Sequence, residues 1–213
     1  MVGIIDYNAG NIKSVEHALA YLRYEYTLSQ NPCALAQADK VIFPGVGDAR
    51  YAMEQLRKTG YDSFLKDCAA SRTPILGVCL GAQIIFEHSE EGDTPCLGLI
   101  AGTVRHLSAV QGAASKLKVP HMGWNDVYET GISFPLFRGI PSHTAFYFVH
   151  SYVICPKEPH VVSAVCDYGI QVPAAIQAGN IFALQFHPEK SGQNGLAVLK
   201  NFVDLPTEKG ASC

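Results

Sequence analysis

The sequence has few charges, and neither sign is concentrated. Charged residues make up 16% of the 213 residues, the formal net charge is -3, and lysine and arginine never form a cluster longer than a pair. A nucleic acid or an anionic membrane surface needs a basic patch, so we expect neither as a partner. The apolar runs are strand-sized, far short of the roughly 20 residues of a membrane span. The start, MVGIIDYNAG, lacks the basic region of a signal peptide.

Regular cysteine, glycine and histidine patterns are also missing. The seven cysteines are irregularly spaced and form no CxxC, which argues against a zinc ribbon or a thioredoxin-like site. Without an export signal we expect reduced thiols and a cytoplasmic location. GxGxxG and P-loop patterns are absent, and the histidines form no ligand pair at helical spacing. We therefore expect no nucleotide, metal or other cofactor.

Strand-like and helix-like runs alternate in the first half of the chain. Short, fully apolar strands separated by helices predict a parallel sheet covered on both faces. The second half is rich in β-like pieces, including KLKVP (116–120) and AFYFVHSYVI (145–154). We predict a single α/β domain over 1–205, with a mostly parallel mixed central sheet flanked by helices, and a flexible tail at 206–213. The predicted strands lie at 2–5, 40–43 and 75–78, and the predicted helices at 12–22, 49–58, 61–70, from 80 onward, and near 195–202.

One cysteine stands where a strand-like run meets a helix-like run. Residues 74–87 read PILGVCLGAQIIFE, and Cys79 has Gly77 and Gly81 two positions away on either side. This pattern is typical of the sharp turn that exposes a nucleophile, because side chains at the glycine positions would clash. The start of the following helix favours a thiolate. The alternative is an inert cysteine in the core.

A candidate base and its orienting carboxylate lie near the other end of the chain. His187 follows a strand-like run in ALQFHPEKS, and Pro188 favours an extended conformation before it. In extended chain His187 and Glu189 project to the same side, so the carboxylate can fix the tautomer of the imidazole. Taken alone, the pattern also fits a surface pair.

Glycines after the second predicted strand supply candidates for oxyanion donors. PGVG (44–47) follows KVIF, and its glycines leave backbone N–H groups free to point into a cleft. A simple strand-ending turn is the alternative.

Together, PGVG, GVCLGAQ, HSY and HPE, in this order, resemble the triad (class I) glutamine amidotransferases over nearly the whole chain. The resemblance implies a flavodoxin-like core and a Cys79 that attacks the side-chain amide of glutamine, with His187 as general acid/base and Glu189 as its orienter. A glutamyl thioester and ammonia form, and water then releases glutamate. Ala82 departs from the pattern, since methionine is usual there, and should alter packing only. The implied oxyanion residues are Gly45, Val46, Gly47 and Leu80, and the implied glutamine-binding residues are Gly47, Gln83, His150, Ser151 and Tyr152.

DYNAGN (6–11), PHMGWN (120–125) and HPEKSG (187–192) are similar to the glutaminase subunits of imidazole glycerol phosphate synthases. This resemblance implies a separate (β/α)₈-barrel cyclase as partner, and a role in making imidazole glycerol phosphate and aminoimidazole carboxamide ribotide in histidine biosynthesis. The single tryptophan fits an interface anchor, although a core position is the alternative. The implied interface residues are Asn8, Asn11, His121, Met122, Trp124, Asn125 and Lys190.

Three other functions stay open on the sequence. The first is the glutaminase of another amidotransferase, feeding anthranilate, pyridoxal phosphate or guanylate synthesis, which should lack HMGWN and HPEKSG. The second is a freestanding γ-glutamyl hydrolase, and the third is a non-catalytic subunit that only docks a synthase. If the chain is a partnered glutaminase, we expect the PGVG loop to control its rate, because its glycines tolerate a peptide rotation.

Overall fold

The structure is a computed structural model that describes residues 1–8, 11–112 and 116–206. Thirteen strands and six α-helices lie in these ranges. The strands are β1 (Val2–Ile5), β2 (Tyr26–Ser29), β3 (Lys40–Gly45), β4 (Ile75–Cys79), β5 (His88–Ser89), β6 (Thr94–Pro95), β7 (Gly102–His106), β8 (His121–Glu129), β9 (Thr144–His150), β10 (Tyr152–Pro156), β11 (Val162–Asp167), β12 (Gln171–Ala178) and β13 (Ile181–Leu184). The helices are α1 (Ile12–Tyr21), α2 (Ala49–Thr59), α3 (Tyr61–Ala70), α4 (Leu80–Ile84), α5 (Leu107–Gln111) and α6 (Gly192–Val203).

Nine strands form one mixed central sheet in the order β2-β1-β3-β4-β13-β12-β11-β8-β9. The first five strands run parallel, and each later pair is antiparallel. The order of β2, β1, β3 and β4 is that of flavodoxin-like doubly wound sheets, in which sites form at the carboxyl ends of the strands. The predicted α/β class with its mostly parallel mixed sheet is confirmed.

A second, four-stranded sheet has the order β10-β7-β5-β6. Its strand β10 is separated from β9 by Ser151 alone. Since β9 pairs with β8 in the large sheet and β10 pairs with β7, the predicted run 145–154 is split between two sheets. The segment HSY therefore lies where the sheets meet.

The central strands are apolar on both faces because both faces are covered. In β3, Val41 and Phe43 enter one buried cluster, whereas Ile42 enters the other. Under the antiparallel half, Phe186 is fully buried and its ring stacks on Phe146 with a centroid distance of 4.3 Å. This packing holds in place the end of the chain that carries His187.

Most predicted elements are present, with small differences at their ends. Helix α6 begins three residues before its predicted start. Helix α4 is short, with five residues that are all buried. Strand β2 is absent from the prediction because its four residues are only half-buried and show no apolar run. None of the helices in the described ranges has the length and apolar character needed to cross a membrane.

The prediction of a strand at residues 116–120 is wrong, because these residues form no strand. Four of them are exposed, and β8 begins only at His121, after Pro120. Proline cannot donate to a strand ladder, which explains why pairing starts after it. The predicted tail 206–213 lies outside the described residues except for Pro206, so its flexibility stays a prediction.

Replacing Phe186 by alanine should lower the free energy of unfolding by about 3–5 kcal/mol, because it leaves a cavity under the His187 strand. Tyr21→Ala is the control, since Tyr21 is 68% exposed, and it should change stability by at most about 0.5 kcal/mol. Urea denaturation measures both variants. Equal midpoints for the two would contradict the packing described here.

Candidate active site

Cys79 is the last residue of β4 and is followed at once by α4. Its backbone has φ 53° and ψ -108°, a conformation that residues with side chains rarely adopt. A Cβ on Gly81 would lie 2.1 Å from the carbonyl oxygen of Phe43, and one on Gly77 would lie 2.5 Å from Ile85 Cδ1. Both flanking glycines are therefore needed for the close approach of β3, β4 and α4. The strained turn is the strand–nucleophile–helix geometry that the sequence predicts.

His187 and Glu189 form a buried pair. His187 Nδ1 lies 2.8 Å from Glu189 Oε1, and the two side chains are 1% and 2% exposed. Because a carboxylate accepts, Nδ1 carries the proton, and Nε2 is left available toward the cavity. The backbone of His187 is fixed as well: its N–H donates to Tyr147 O at 2.9 Å, and its carbonyl accepts from Ser191 Oγ at 2.6 Å. The alternative of a surface pair is wrong.

The charge of His187 is set by opposing effects. Burial lowers its pKa, but interaction with the Cys79 sulfur and with Glu189 raises it to about 10. The other ring nitrogen, Nε2, is buried and pairs with no oxygen or nitrogen of the described residues, which leaves it for the Cys79 sulfur. The raised pKa favours the imidazolium form of His187 beside the Cys79 sulfur, and an adjacent imidazolium makes a cysteine a better nucleophile at neutral pH.

One cavity of about 280 Å³ lies over Cys79 and His187. It gathers most of the residues predicted for catalysis and glutamine binding. Gly45 and Glu189 lie behind its wall: Gly45 is packed so closely on the elbow that a Cβ there would be 2.6 Å from Gly81 N, and Glu189 is behind His187. The lining comprises Val46, Gly47, Cys79, Leu80, Gln83, Glu91, Pro120, Val149, His150, Ser151, Tyr152 and His187.

Gln83 has a defined orientation in this wall. Its Nε2 donates to Tyr152 O and to Gln185 Oε1, both at 3.0 Å. With both amide donors used inside the protein, Gln83 can offer a ligand only its carbonyl oxygen, which suits an ammonium group. Gln185 in turn directs Nε2 toward the Cys79 sulfur at 4.0 Å. The side-chain amides of Gln83 and Gln185 thus link the backbone of Tyr152 to the Cys79 sulfur along the cavity wall.

His150 and His121 form a directional hydrogen-bond chain behind the cavity. His150 Nδ1 lies 2.7 Å from Tyr152 O, an acceptor, so this nitrogen carries the proton. Burial lowers the pKa of His150 to about 3, so its Nε2 is unprotonated and accepts from His121 Nδ1 at 3.0 Å. Burial also lowers the pKa of His121 to about 4, so its Nε2 accepts from Asn125 Nδ2 at 3.3 Å. Each ring therefore has one tautomer.

The residues predicted for a partner interface do not all lie on the surface. Met122 and Trp124 are 61% and 59% exposed, so the alternative of a core tryptophan is wrong. His121 is only 3% exposed, and its ring is stacked between other aromatic rings. The ring of His121 thus lies inside the protein, and its role at a partner interface stays a prediction. Of the others, Asn8 and Lys190 are exposed, and Asn11 and Asn125 are half-buried.

Glu91 is a candidate site residue that the sequence did not single out. It lines the cavity, and its Oε2 accepts from Ala49 N at 2.9 Å. Burial raises its pKa above the ordinary value. The neighbouring Glu90 instead binds Arg105 and the backbone of His106 outside the cavity. Nothing in the run HSEEGD distinguishes the two glutamates, so only the fold identifies Glu91.

Glu189→Gln should slow alkylation of Cys79 by iodoacetamide about tenfold at pH 7, since losing the carboxylate lowers the pKa of His187 and depopulates the ion pair. In the parent chain the raised pKa keeps His187 protonated until the pH rises through about 10. Mass spectrometry of the Cys79 peptide measures the rate, with exposed Cys33 as internal control.

Glu158→Gln is the matched variant, because Glu158 Oε2 lies 3.8 Å from His160 Nδ1 in a solvent-exposed pair. It should leave the Cys79 rate unchanged. Equal rates in both variants would show that the buried carboxylate does not support the imidazolium.

The pattern of the family described as glutamine amidotransferase class-I matches residues 3–205. The imidazole glycerol phosphate synthase subunit HisH of Thiobacillus denitrificans is 42% identical over 218 residues, covering 100% of this chain and 95% of the relative. The HisH subunit of Moorella thermoacetica is 45% identical, covering 98% of this chain and 97% of the relative.

Among solved structures, that of PurLQS from Thermotoga maritima is similar with a TM-score of 0.71 at 16% identity, covering 95% of this chain and 96% of that one. At this identity the likeness shows the fold alone. The family match and the relatives also show the family. The chain belongs to the class-I glutamine amidotransferase family, within the group of HisH subunits of imidazole glycerol phosphate synthase.

Proposed function

We propose that the chain hydrolyses glutamine to glutamate and ammonia, and delivers the ammonia to a separate (β/α)₈-barrel cyclase in the cytoplasmic synthesis of histidine. The cyclase would form imidazole glycerol phosphate and aminoimidazole carboxamide ribotide. The observation that carries this proposal is one cavity lined by Cys79 and His187, with Glu189 paired to His187 behind its wall, in a chain whose relatives are subunits of imidazole glycerol phosphate synthase.

In the first half of the reaction, the Cys79 thiolate attacks the side-chain carbonyl carbon of glutamine. The carbonyl π electrons move to oxygen, and the C–N bond breaks as His187 gives its Nε2 proton to the leaving nitrogen. Ammonia and a glutamyl thioester result. Neutral His187 then takes a proton from water, hydroxide adds to the thioester, and glutamate leaves as the C–S bond breaks. Glu189 holds the imidazole in the Nδ1–H tautomer throughout.

Developing negative charge on the glutamine oxygen needs N–H donors close to Cys79. The N–H of Leu80 follows the nucleophile directly, as in other elbows. The loop Gly45–Val46–Gly47 supplies the second candidate donor from the facing strand end. Gly47 has φ +101° and no atom within 4 Å of its Cβ position, so the loop has room for a peptide rotation. This supports the loop as the element that switches the rate.

The two ends of glutamine differ in charge, and the cavity offers different groups to each. Glu91 and the carbonyl oxygen of Gln83 suit the α-ammonium group, since both accept hydrogen bonds and one is an acid. Ser151 and Tyr152 line the cavity in the connection between the sheets and offer hydroxyl donors to the α-carboxylate end, whereas His150, whose two ring nitrogens are already hydrogen-bonded, borders this end of the site. A substrate bound this way places its side chain over Cys79.

The exposed side chains of Met122 and Trp124 on β8 favour the partnered glutaminase over a freestanding hydrolase. Large apolar groups in a strand facing solvent mark an interaction surface, and Trp is a frequent anchor. Lys190, next to the catalytic pair and exposed, is a candidate for pairing with an acidic group of the barrel. These residues with Asn8, Asn11 and Asn125 form the proposed docking face.

Glutamate production measured with and without the cyclase and its nucleotide tests the proposal. One missing oxyanion donor lowers a rate about 10²- to 10³-fold. We therefore expect stimulation of this order when the partner shifts the loop into the conformation that supplies this donor. Cys79→Ser should give no glutamate above background. Equal rates alone and with the partner would instead favour a γ-glutamyl hydrolase, and no glutamate in any condition would leave only a docking subunit.

Glu91→Gln should raise KM for glutamine about tenfold or more, because a charge-assisted hydrogen bond to the ammonium group is lost. The value of kcat should change less, since Glu91 contacts no reacting atom. Glu90→Gln is the control and should leave KM unchanged. A KM equal to that of the parent in Glu91→Gln would exclude the assigned role.

A further inference from the structure

Tyr7 is a buried residue whose hydroxyl has no partner. The side chain is 0% exposed, and no described residue forms a hydrogen bond with its oxygen. The other fully buried tyrosine, Tyr61, donates to Ser29 O at 2.6 Å. Buried hydroxyls are nearly always paired, because an unpaired one has lost its water without compensation. The Tyr7 hydroxyl therefore calls for an explanation that Tyr61 does not.

The unpaired hydroxyl lies directly under the predicted oxyanion loop. A Cβ on Gly45 would be 2.7 Å from the Tyr7 oxygen and 2.6 Å from Gly81 N, so the oxygen is at the junction of the loop and the elbow. The ring of Tyr7 packs on Phe43, with centroids 5.3 Å apart. Burial first, and the negative charge of Cys79 second, raise the pKa of Tyr7 above its ordinary value. The hydroxyl thus stays protonated and remains a donor.

The loop above this hydroxyl can present two different faces. A peptide rotation exchanges the directions of N–H and C=O, and Val46 and Gly47 are exposed enough to allow it. A hydroxyl can donate to a carbonyl oxygen or accept from an N–H. A loop state that places a peptide group against Tyr7 would satisfy an otherwise unpaired buried atom, and the resulting hydrogen bond would stabilise that state.

We propose that Tyr7 is a positioning residue for the Gly45–Gly47 loop, and that its hydroxyl gains a hydrogen bond to this loop in the conformation that turns an N–H toward the glutamine oxygen. Tyr7 itself touches no reacting atom. The proposal rests on the proposed glutaminase function, and it names the group inside the fold that stabilises the active loop state.

The position of Tyr7 in the chain also links the loop to the docking face. The next residue, Asn8, is exposed and has φ 63°. Its N–H donates to Asp6 Oδ1 at 3.1 Å, and its side chain accepts from Gln30 Nε2 at 3.0 Å. A partner that binds Asn8 is therefore one peptide group away from the residue whose hydroxyl lies under the loop.

Tyr7→Phe in the full chain removes only this hydroxyl. In the cyclase-stimulated assay we expect kcat to fall about three- to tenfold, the range of one ordinary hydrogen bond, with KM changed less than twofold. The thermal unfolding midpoint should not fall, since the resting hydroxyl has no partner to lose. Tyr61→Phe is the matched control: its unfolding midpoint should fall because Ser29 O loses its donor, while its kcat stays at the parent value.

A Tyr7→Phe variant with the parent kcat would overturn the proposal. So would a fall in its unfolding midpoint equal to that of Tyr61→Phe, because the hydroxyl would then already be paired in the resting state. An inactive parent chain with its partner would instead refute the proposed function, and the unfolding comparison would still decide whether the hydroxyl is unpaired.

Discussion

The structure depends on how closely β3, β4 and the start of α4 approach one another. The carbonyl oxygen of Phe43 occupies the space that a side chain on Gly81 would need, and the backbone of Gly45 is packed against the same turn. This contact forces Cys79 into its left-handed conformation and turns the sulfur out of the sheet. Cys79, Gly45 and the first turn of α4 are consequently packed as one unit. Val46 and Gly47, the exposed residues that follow Gly45, lie outside this packing and have room to move.

The second half of the chain brings His187 to this unit through sheet pairing. Strand β13 lies parallel to β4, with Leu184 opposite Val78. The register therefore sets Gln185 beside Cys79 and leads the chain on to His187 two residues later. The stacked rings of Phe186 and Phe146 fix this end of the strand from below. A cysteine and a histidine more than 100 residues apart meet because one strand is inserted between the parallel and antiparallel halves.

Much of this arrangement can be predicted from the sequence, since it rests on local signals. Glycines around Cys79 and the spacing of His187 and Glu189 each have a direct physical meaning, and apolar runs between helices mark parallel strands. Other features depend on long-range packing. Glu91 and Glu90 are equivalent in sequence, but in the fold Glu91 lines the cavity and Glu90 binds Arg105 and His106. His121 lies inside because rings from β9 and from the turn at Tyr168 stack on it. Residues 116–120 have the composition of a strand, but Pro120 cannot donate to a strand ladder and pairing begins after it.

Ser151 is the sole residue between β9 of the large sheet and β10 of the small one, and it also borders the cavity. A connection of one residue transmits a tilt of either sheet directly to the backbone that lines the cavity, because no further residues are there to absorb it. Hydrogen bonds from His121 of β8 to His150, and from His150 to Tyr152 O, hold the same connection against β8. A force on the edge strand β9 or its neighbour β8 would therefore change the shape of the cavity without any change of protonation.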